Sequence, residues 1–408
     1  MKATTCTVIT LAAASAYNFV PGDSPLLVYS GRTLSDPAAR TTRFDWPAVS
    51  IAVAIQVQDD GGSISATIAE TGTNRYALSA DGGATWLAET LNTTLGTHTY
   101  GLWGPLAAGT YNLQLLKLTE ACTKVNGCPW GDFGVATVVG LWLEPGMKAL
   151  PPAAEGRWFG GGRVLGAAAD EDGCADGRRL EFVGDSITSG WGARASAEAA
   201  DDAACNAGED ARASWAHATA RQLRAESHVI AWGGVGLVQN DDAGTAPDGS
   251  PAPALWQRTI ANEPESAWDT SQWLPHAILI HLGTNDLCCD QPVANATFEE
   301  AYVAFATELG RSKGGSVAAP AFLLACGPMG NSEGNKDHTG REGYFPCSLV
   351  ERVAAAVNAS GWAAHVLDFS GLMDETENVG GCRHPSERAH AMMADKAAQT
   401  IRDVLGWS

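Results

Sequence analysis

No stretch of the sequence approaches the roughly 20 consecutive apolar residues that a membrane-crossing helix requires, so a bilayer span is excluded. Basic residues are scarce: 26 Lys and Arg stand against 46 Asp and Glu, for a formal net charge of -20. Nucleic acids and anionic lipid surfaces are gripped mainly through Lys and Arg, so neither is expected as a partner, and a neutral substrate fits better. The same acidity serves plain solubility equally well. Paired CxxC motifs are missing, and the adjacent Cys288 and Cys289 lack the ligand spacing of a zinc site. No metal and no other cofactor is expected.

What is present begins with length. A chain of 408 residues outgrows a single hydrophobic core, and its 45% apolar and 18% charged residues are those of a globular protein, so two domains are expected. At the N-terminus, Lys2 precedes a modestly apolar run from Cys6 to Ala14, and Ala14-Ser15-Ala16 has the A-x-A form of a cleavage site. Residues 1–16 therefore read as a signal peptide, with an ordinary first strand as the competing reading. Ten cysteines and sequons beginning at Asn92, Asn295 and Asn358 agree with a secreted, extracellular protein. Loss of Cys6 with the signal would leave nine cysteines and at least one unpaired. Cys122 with Cys128, Cys174 with Cys205, and Cys326 with Cys347 are the pairings considered.

From Pro25 to about Leu143 the chain reads as short strands broken by Gly, Asp and Asn clusters. They include Leu26–Tyr29, Val49–Val57, Ser63–Ile68, Thr110–Lys117 and Gly134–Leu143, and Tyr111, Leu113 and Leu115 alternate with Asn112 and Gln114. A β-sandwich over residues 17–145 is expected. Residues 146–178, rich in Pro, Gly and Ala, read as a linker or insertion. From 179 to 408 the texture changes: apolar runs at Leu180–Val183, His228–Trp232, Ala277–Leu282, Ala321–Cys326 and Ala364–Phe369 alternate with helical stretches at 211–226, 296–313, 347–359 and 387–405. That alternation predicts an α/β domain with a parallel sheet covered on both faces, whose ligands sit at the carboxyl ends of the strands.

Four short motifs fall just after such strands or before the last helix. Gly184-Asp185-Ser186 would stand a serine at the sheet edge, where a neighbouring base could activate it. Trp232-Gly233-Gly234-Val235-Gly236 lets backbone N–H groups approach a ligand closely. Gly283-Thr284-Asn285-Asp286 places an amide that could donate to an oxyanion. His384 lies in Gly381-Cys382-Arg383-His384-Pro385-Ser386. Each motif alone also reads as an ordinary turn or a surface histidine.

Together and in this order, the four resemble the conserved blocks of SGNH hydrolases. Tyr29-Ser30-Gly31-Arg32, Phe44-Asp45-Trp46-Pro47, Leu116-Lys117-Leu118-Thr119-Glu120-Ala121, Phe182–Thr188 and Leu255-Trp256-Gln257-Arg258-Thr259 further resemble carbohydrate esterase family 2 across both regions. The resemblance implies an N-terminal jelly-roll sandwich and a C-terminal flavodoxin-like, three-layer SGNH domain with a five-stranded parallel sheet. It also implies removal of acetyl groups from polysaccharides. Ser186 would be the nucleophile and His384 the base, with the Ser186 and Gly234 N–H groups and the Asn285 amide as oxyanion donors. Gly234 is preferred over Gly233 or Gly236.

Two positions depart from the pattern. The Asp usual three residues before the histidine is replaced by Gly381, and Asp374, Glu375 and Glu377 lie upstream, so a Ser-His dyad oriented by a backbone carbonyl is expected. Arg383 stands where relatives often carry an aromatic, leaving Trp191 and Trp232 as candidate sugar contacts. A lipase or lysophospholipase on the same scaffold, and a catalytically silent glycan-binding protein, are the competing functions. An acetylated polysaccharide is the expected partner, bound by a monomer.

Overall fold

The computed structural model describes residues 18–407, apart from residues 123–130, 153–156, 160–161, 165–176, 242–247, 289–290, 314–319, 330–344 and 374–377. The expected signal peptide and the carboxylates Asp374, Glu375 and Glu377 lie outside the described residues.

The N-terminal part is a sandwich of two antiparallel sheets. One orders Leu34–Asp36, Thr41–Phe44, Ala136–Leu143, Gly62–Glu70 and Gly96–Leu106, with Asn18–Pro21 also on Ala136–Leu143. The other orders Met147–Leu150, Ser50–Val57, Gly109–Lys117, Arg75–Ser79 and Leu91–Asn92, with Val28–Ser30 also on Ser50–Val57. Strand alternation decides which side chains fill the gap. In Gly62–Glu70, Ile64, Ala66 and Ile68 are buried while Ser65, Thr67 and Ala69 are partly exposed, the period of two expected of a sheet with one wet face.

The C-terminal part carries a five-stranded parallel sheet ordered Glu226–Ala231, Arg179–Gly184, Ala277–His281, Ala321–Cys326 and Ala364–Asp368. The chain lays its second strand on one side of the first and its third on the other. The carboxyl ends of Arg179–Gly184 and Ala277–His281 therefore flank a topological switch point, where open α/β sheets bind ligands. Side chains leave the sheet on both faces. Phe182, Leu279 and Leu323 pack with Trp215, Ala216 and Met393, while Ile280, Phe322 and Leu324 pack with Phe298, Tyr302 and Val353. Each fully buried aliphatic side chain contributes roughly 1.5–3 kcal/mol.

Asn295–Ser312, Cys347–Ala359 and Glu387–Leu405 are helices close to the expected bounds. The last is capped by Ser386, whose hydroxyl accepts from the Ala389 N–H, and ends at Gly406 in the left-handed region at φ 66°. The expected helix at 211–226 is shorter, Trp215–Gln222. Ser214 ends its N-terminal side because its hydroxyl accepts from the Ala216 N–H and also donates to the Thr188 carbonyl; Arg224 at φ 50° turns the chain into the next strand.

The motifs that carry the family resemblance knit the two parts together. Arg32 is buried and reaches Glu181 on the strand Arg179–Gly184 at 2.9 Å, as well as the carbonyls of Trp256 and Arg258. The Asp45 carboxylate accepts from the Ala261 and Asn262 N–H groups at 2.8 and 2.9 Å. Among the described residues no helix is long and apolar enough to cross a membrane.

Candidate active site

Gly184 ends the strand Arg179–Gly184, and a Cβ there would lie 2.1 Å from the Thr188 hydroxyl. The chain turns sharply: the Asp185 side chain accepts from the Ile187 N–H at 3.0 Å and caps a short helix, Ser186–Ser189. Ser186 is the first residue of that helix, and its N–H has no hydrogen-bond partner among the described residues, as geometry requires of a first-turn donor. Burial pushes the Asp185 carboxyl up to about 7, with Asp286 adding to the shift and the Ile187 N–H opposing it.

The expected pair is assembled. Ser186 Oγ lies 2.7 Å from His384 Nε2. On the far side of the ring, His384 Nδ1 lies 3.0 Å from the Cys382 carbonyl, so Nδ1 carries the proton donated to that oxygen and Nε2 is left to accept. Burial of the imidazole lowers its pKa from 6.5 to about 4, against the opposing effect of the Cys382 carbonyl.

No carboxylate could replace that carbonyl from position 381. A Cβ on Gly381 would stand 2.5 Å from the Ala195 Cβ and 3.0 Å from Cys205 Sγ. Cys205 is disulfide-bonded to Cys382, which corrects the pairing of Cys174 with Cys205; a separation of 177 residues leaves no trace in local spacing. The expected Cys326–Cys347 bond is present. Cys122 is also disulfide-bonded, while Cys128 lies outside the described residues. Cys326, Cys347 and Asp368 come within ligating distance of one another, but the disulfide leaves a single carboxylate, too few donors for an ion.

The glycine motif resolves into three different tasks. The Gly233 N–H donates to the Glu120 carboxylate, which arrives from the sandwich domain. The Gly236 N–H donates to Asn240 Oδ1 at 3.2 Å, and a Cβ there would meet the Gln239 carbonyl at 1.8 Å. Gly234, at φ 71°, has an N–H with no partner among the described residues. Asp286 holds the loop that follows, accepting from the N–H groups of Leu237, Val238 and Gln239 at 2.8, 2.6 and 3.1 Å. One Asn285 amide hydrogen goes to the Val235 carbonyl at 2.9 Å. The other meets Asp185 Oδ2 only at 3.5 Å, the outer limit of a hydrogen bond, and is the one a stronger acceptor could take.

Trp232 is corrected: it is 1% exposed and its indole lies in the core, so no sugar can reach it. Trp191 is 8% exposed and stands edge-on to the His384 ring, 4.6 Å between centroids. Its indole N–H donates to Asn206 Oδ1, which commits it to the base rather than to an open platform. Arg383 is exposed beside the base with φ 61°. The sequence reading missed the supports: Glu120, Asp286, Cys205 and Asn206. Glu120 and Asp286 stood inside recognised motifs, whereas nothing local marks Cys205 or Asn206.

A serine paired with a neutral imidazole at the switch point of a doubly wound sheet is the apparatus of acyl transfer. The chain belongs to the GDSL-like lipase/acylhydrolase family, whose model matches residues 180–397. It is 28% identical over 392 residues to the cellulase/esterase CelE of Acetivibrio thermocellus, covering 94% of this chain; the chain spans 40% of that protein's length. It is 28% identical over 306 residues to an acetylxylan esterase/glucomannan deacetylase of Cellvibrio japonicus, covering 71% of this chain and 68% of the relative. An active-site mutant of a family two carbohydrate esterase from Clostridium thermocellum superposes with a TM-score of 0.73 at 26% identity, covering 95% of this chain and 100% of that one.

Proposed function

We propose that the chain is an exported serine esterase that removes O-acetyl groups from polysaccharides through a Ser186–His384 dyad. The observation that carries this reading is the 2.7 Å contact from Ser186 Oγ to His384 Nε2, with Nδ1 engaged by a carbonyl. The named activities of the relatives support the acetylated polysaccharide as substrate.

His384 accepts the serine proton as Oγ attacks the acetyl carbonyl, and the tetrahedral oxyanion is received by the Ser186 and Gly234 N–H groups and the Asn285 amide. Collapse breaks the ester bond as His384 gives its proton to the departing sugar oxygen, leaving acetyl-Ser186 and a free hydroxyl. Water then attacks with His384 again as base, and acetate leaves while Ser186 regains its proton. The Cys382 carbonyl fixes the tautomer, the task a carboxylate performs in a triad, though without its charge. Incubation with acetylated xylan or glucomannan tests the reading: wild type should release acetate and Ser186→Ala should not. Equal release by both would overturn it.

A further inference from the structure

Besides Ser186, two groups touch the His384 imidazole, the Cys382 carbonyl at Nδ1 and the Trp191 ring in a T-shaped contact, and both are tied to consecutive residues of one short helix, Asp202–Ala207. We propose that this helix is a brace for the base, with Cys205 and Asn206 as positioning residues. Cys205 holds Cys382 through their disulfide, and Asn206 holds Trp191 through its indole N–H. The proposal rests on His384 being the base.

Three observations support it. First, Cys382 and Arg383 are consecutive non-glycine residues in the left-handed region, at φ 51° and 61°. Such a pair is strained and persists only where surrounding structure over-determines it. The restraints are the disulfide and the Cys382 N–H, which donates to the Ala199 carbonyl at 2.8 Å. Freed of them, the turn can relax, and the carbonyl leaves Nδ1.

Second, the helix is itself anchored. Asp201 caps its start by accepting from the Ala204 N–H at 2.9 Å. At its C-terminal end, the Arg75 guanidinium of the sandwich domain donates to the carbonyls of Asn206 and Ala207, and to that of Glu209 just beyond. The base is thereby referenced to the other domain.

Third, the site has no room at Gly381 for the carboxylate that holds such a histidine in a triad. A neutral carbonyl attracts the ring less strongly than a carboxylate does, so its position has to be fixed mechanically. The disulfide supplies what the missing charge does not.

Steady-state kinetics on 4-nitrophenyl acetate, with fluorophosphonate labelling of Ser186 as a second readout, tests the brace. Cys205→Ser combined with Cys382→Ser should lower kcat and the labelling rate on the order of 10²-fold, the cost of misplacing a reacting group by about 1 Å, with KM little changed. Cys326→Ser with Cys347→Ser should lower Tm but leave kcat near wild type. Asn206→Ala, which keeps every disulfide, should lower kcat about tenfold, and Asn206→Asp, which keeps an acceptor for Trp191, should restore it. Wild-type kcat in folded Asn206→Ala, or equal kcat losses in the two cysteine double variants, would overturn the proposal. If instead Ser186→Ala retains wild-type turnover, the esterase reading itself fails.

Discussion

An imidazole accepts a proton only while it is neutral, and burial at this site favours the neutral form. With its pKa depressed to about 4, His384 stays neutral well below the ordinary 6.5. The acid limb of kcat/KM should therefore fall at about pH 4, with a plateau above about pH 5; half-loss near 6.5 would show a solvated imidazole instead. The lack of a carboxylate at position 381 is equally testable. Gly381→Asp should fail to raise kcat and should destabilise the fold by roughly 1–3 kcal/mol through overpacking, because its Cβ would press on Ala195 and Cys205. A gain in kcat would contradict the dyad. The contact of Ser186 with His384 was legible in the sequence because Gly184-Asp185-Ser186 follows a strand at the sheet edge and the histidine motif directly precedes the last helix. The Cys382 carbonyl was not, since every residue carries one. Trp232 misled because an aromatic beside a motif reads the same whether it points into the core or out of it.

Elements set which glycine N–H is left without a partner among the described residues. The turn after Glu226–Ala231 is held by Glu120 on one side and by Asn240 and Asp286 on the other, and Gly234 is left between them. Glu120→Ala should thus lower kcat by about tenfold to hundredfold by loosening an oxyanion donor, with KM little changed, and Glu120→Gln, which keeps an acceptor, should recover most of it. Unchanged kcat in Glu120→Ala would remove Glu120 from this role. Parallel strands were readable because burial on both faces makes them continuous apolar runs. The helix at 211–226 was overestimated because Asp210–Ser214 has helical composition, while its side-chain hydrogen bonds favour a turn: Asp210 accepts from the Arg212 N–H at 2.9 Å. The helix Asp202–Ala207 was not foreseen; at six residues it is too short to show a period. All three sequon asparagines, Asn92, Asn295 and Asn358, are exposed. The Asn358 side chain is engaged at both ends by Ala364, at 2.8 and 2.9 Å, and a glycan there would disrupt those bonds.

At the scale of the whole molecule, the sandwich is tied into the α/β domain around Ser186 and His384. Glu120 reaches the Gly233 turn, Arg75 reaches the end of the helix Asp202–Ala207, and Arg32 enters the other domain to meet Glu181, both fully buried. Removing one partner leaves an uncompensated buried charge, so Glu181→Ala should cost about 3–5 kcal/mol in denaturant unfolding. A loss within ~0.5 kcal/mol, the scale of a surface change, would show that the pair carries little. The motifs containing Arg32, Asp45, Glu120, Trp256 and Arg258 were visible in the sequence as a family resemblance. Their shared role at the junction of two domains was not, because it depends on contacts separated by up to 226 residues.

The central claim is a covalent acetyl group on Ser186. Rapid quenching of the enzyme with an activated acetyl ester, followed by peptide mass spectrometry, should find that group on the peptide containing Ser186, and on none in Ser186→Ala. Acetate release with no acetyl on Ser186, or with the acetyl on another residue, would contradict the account.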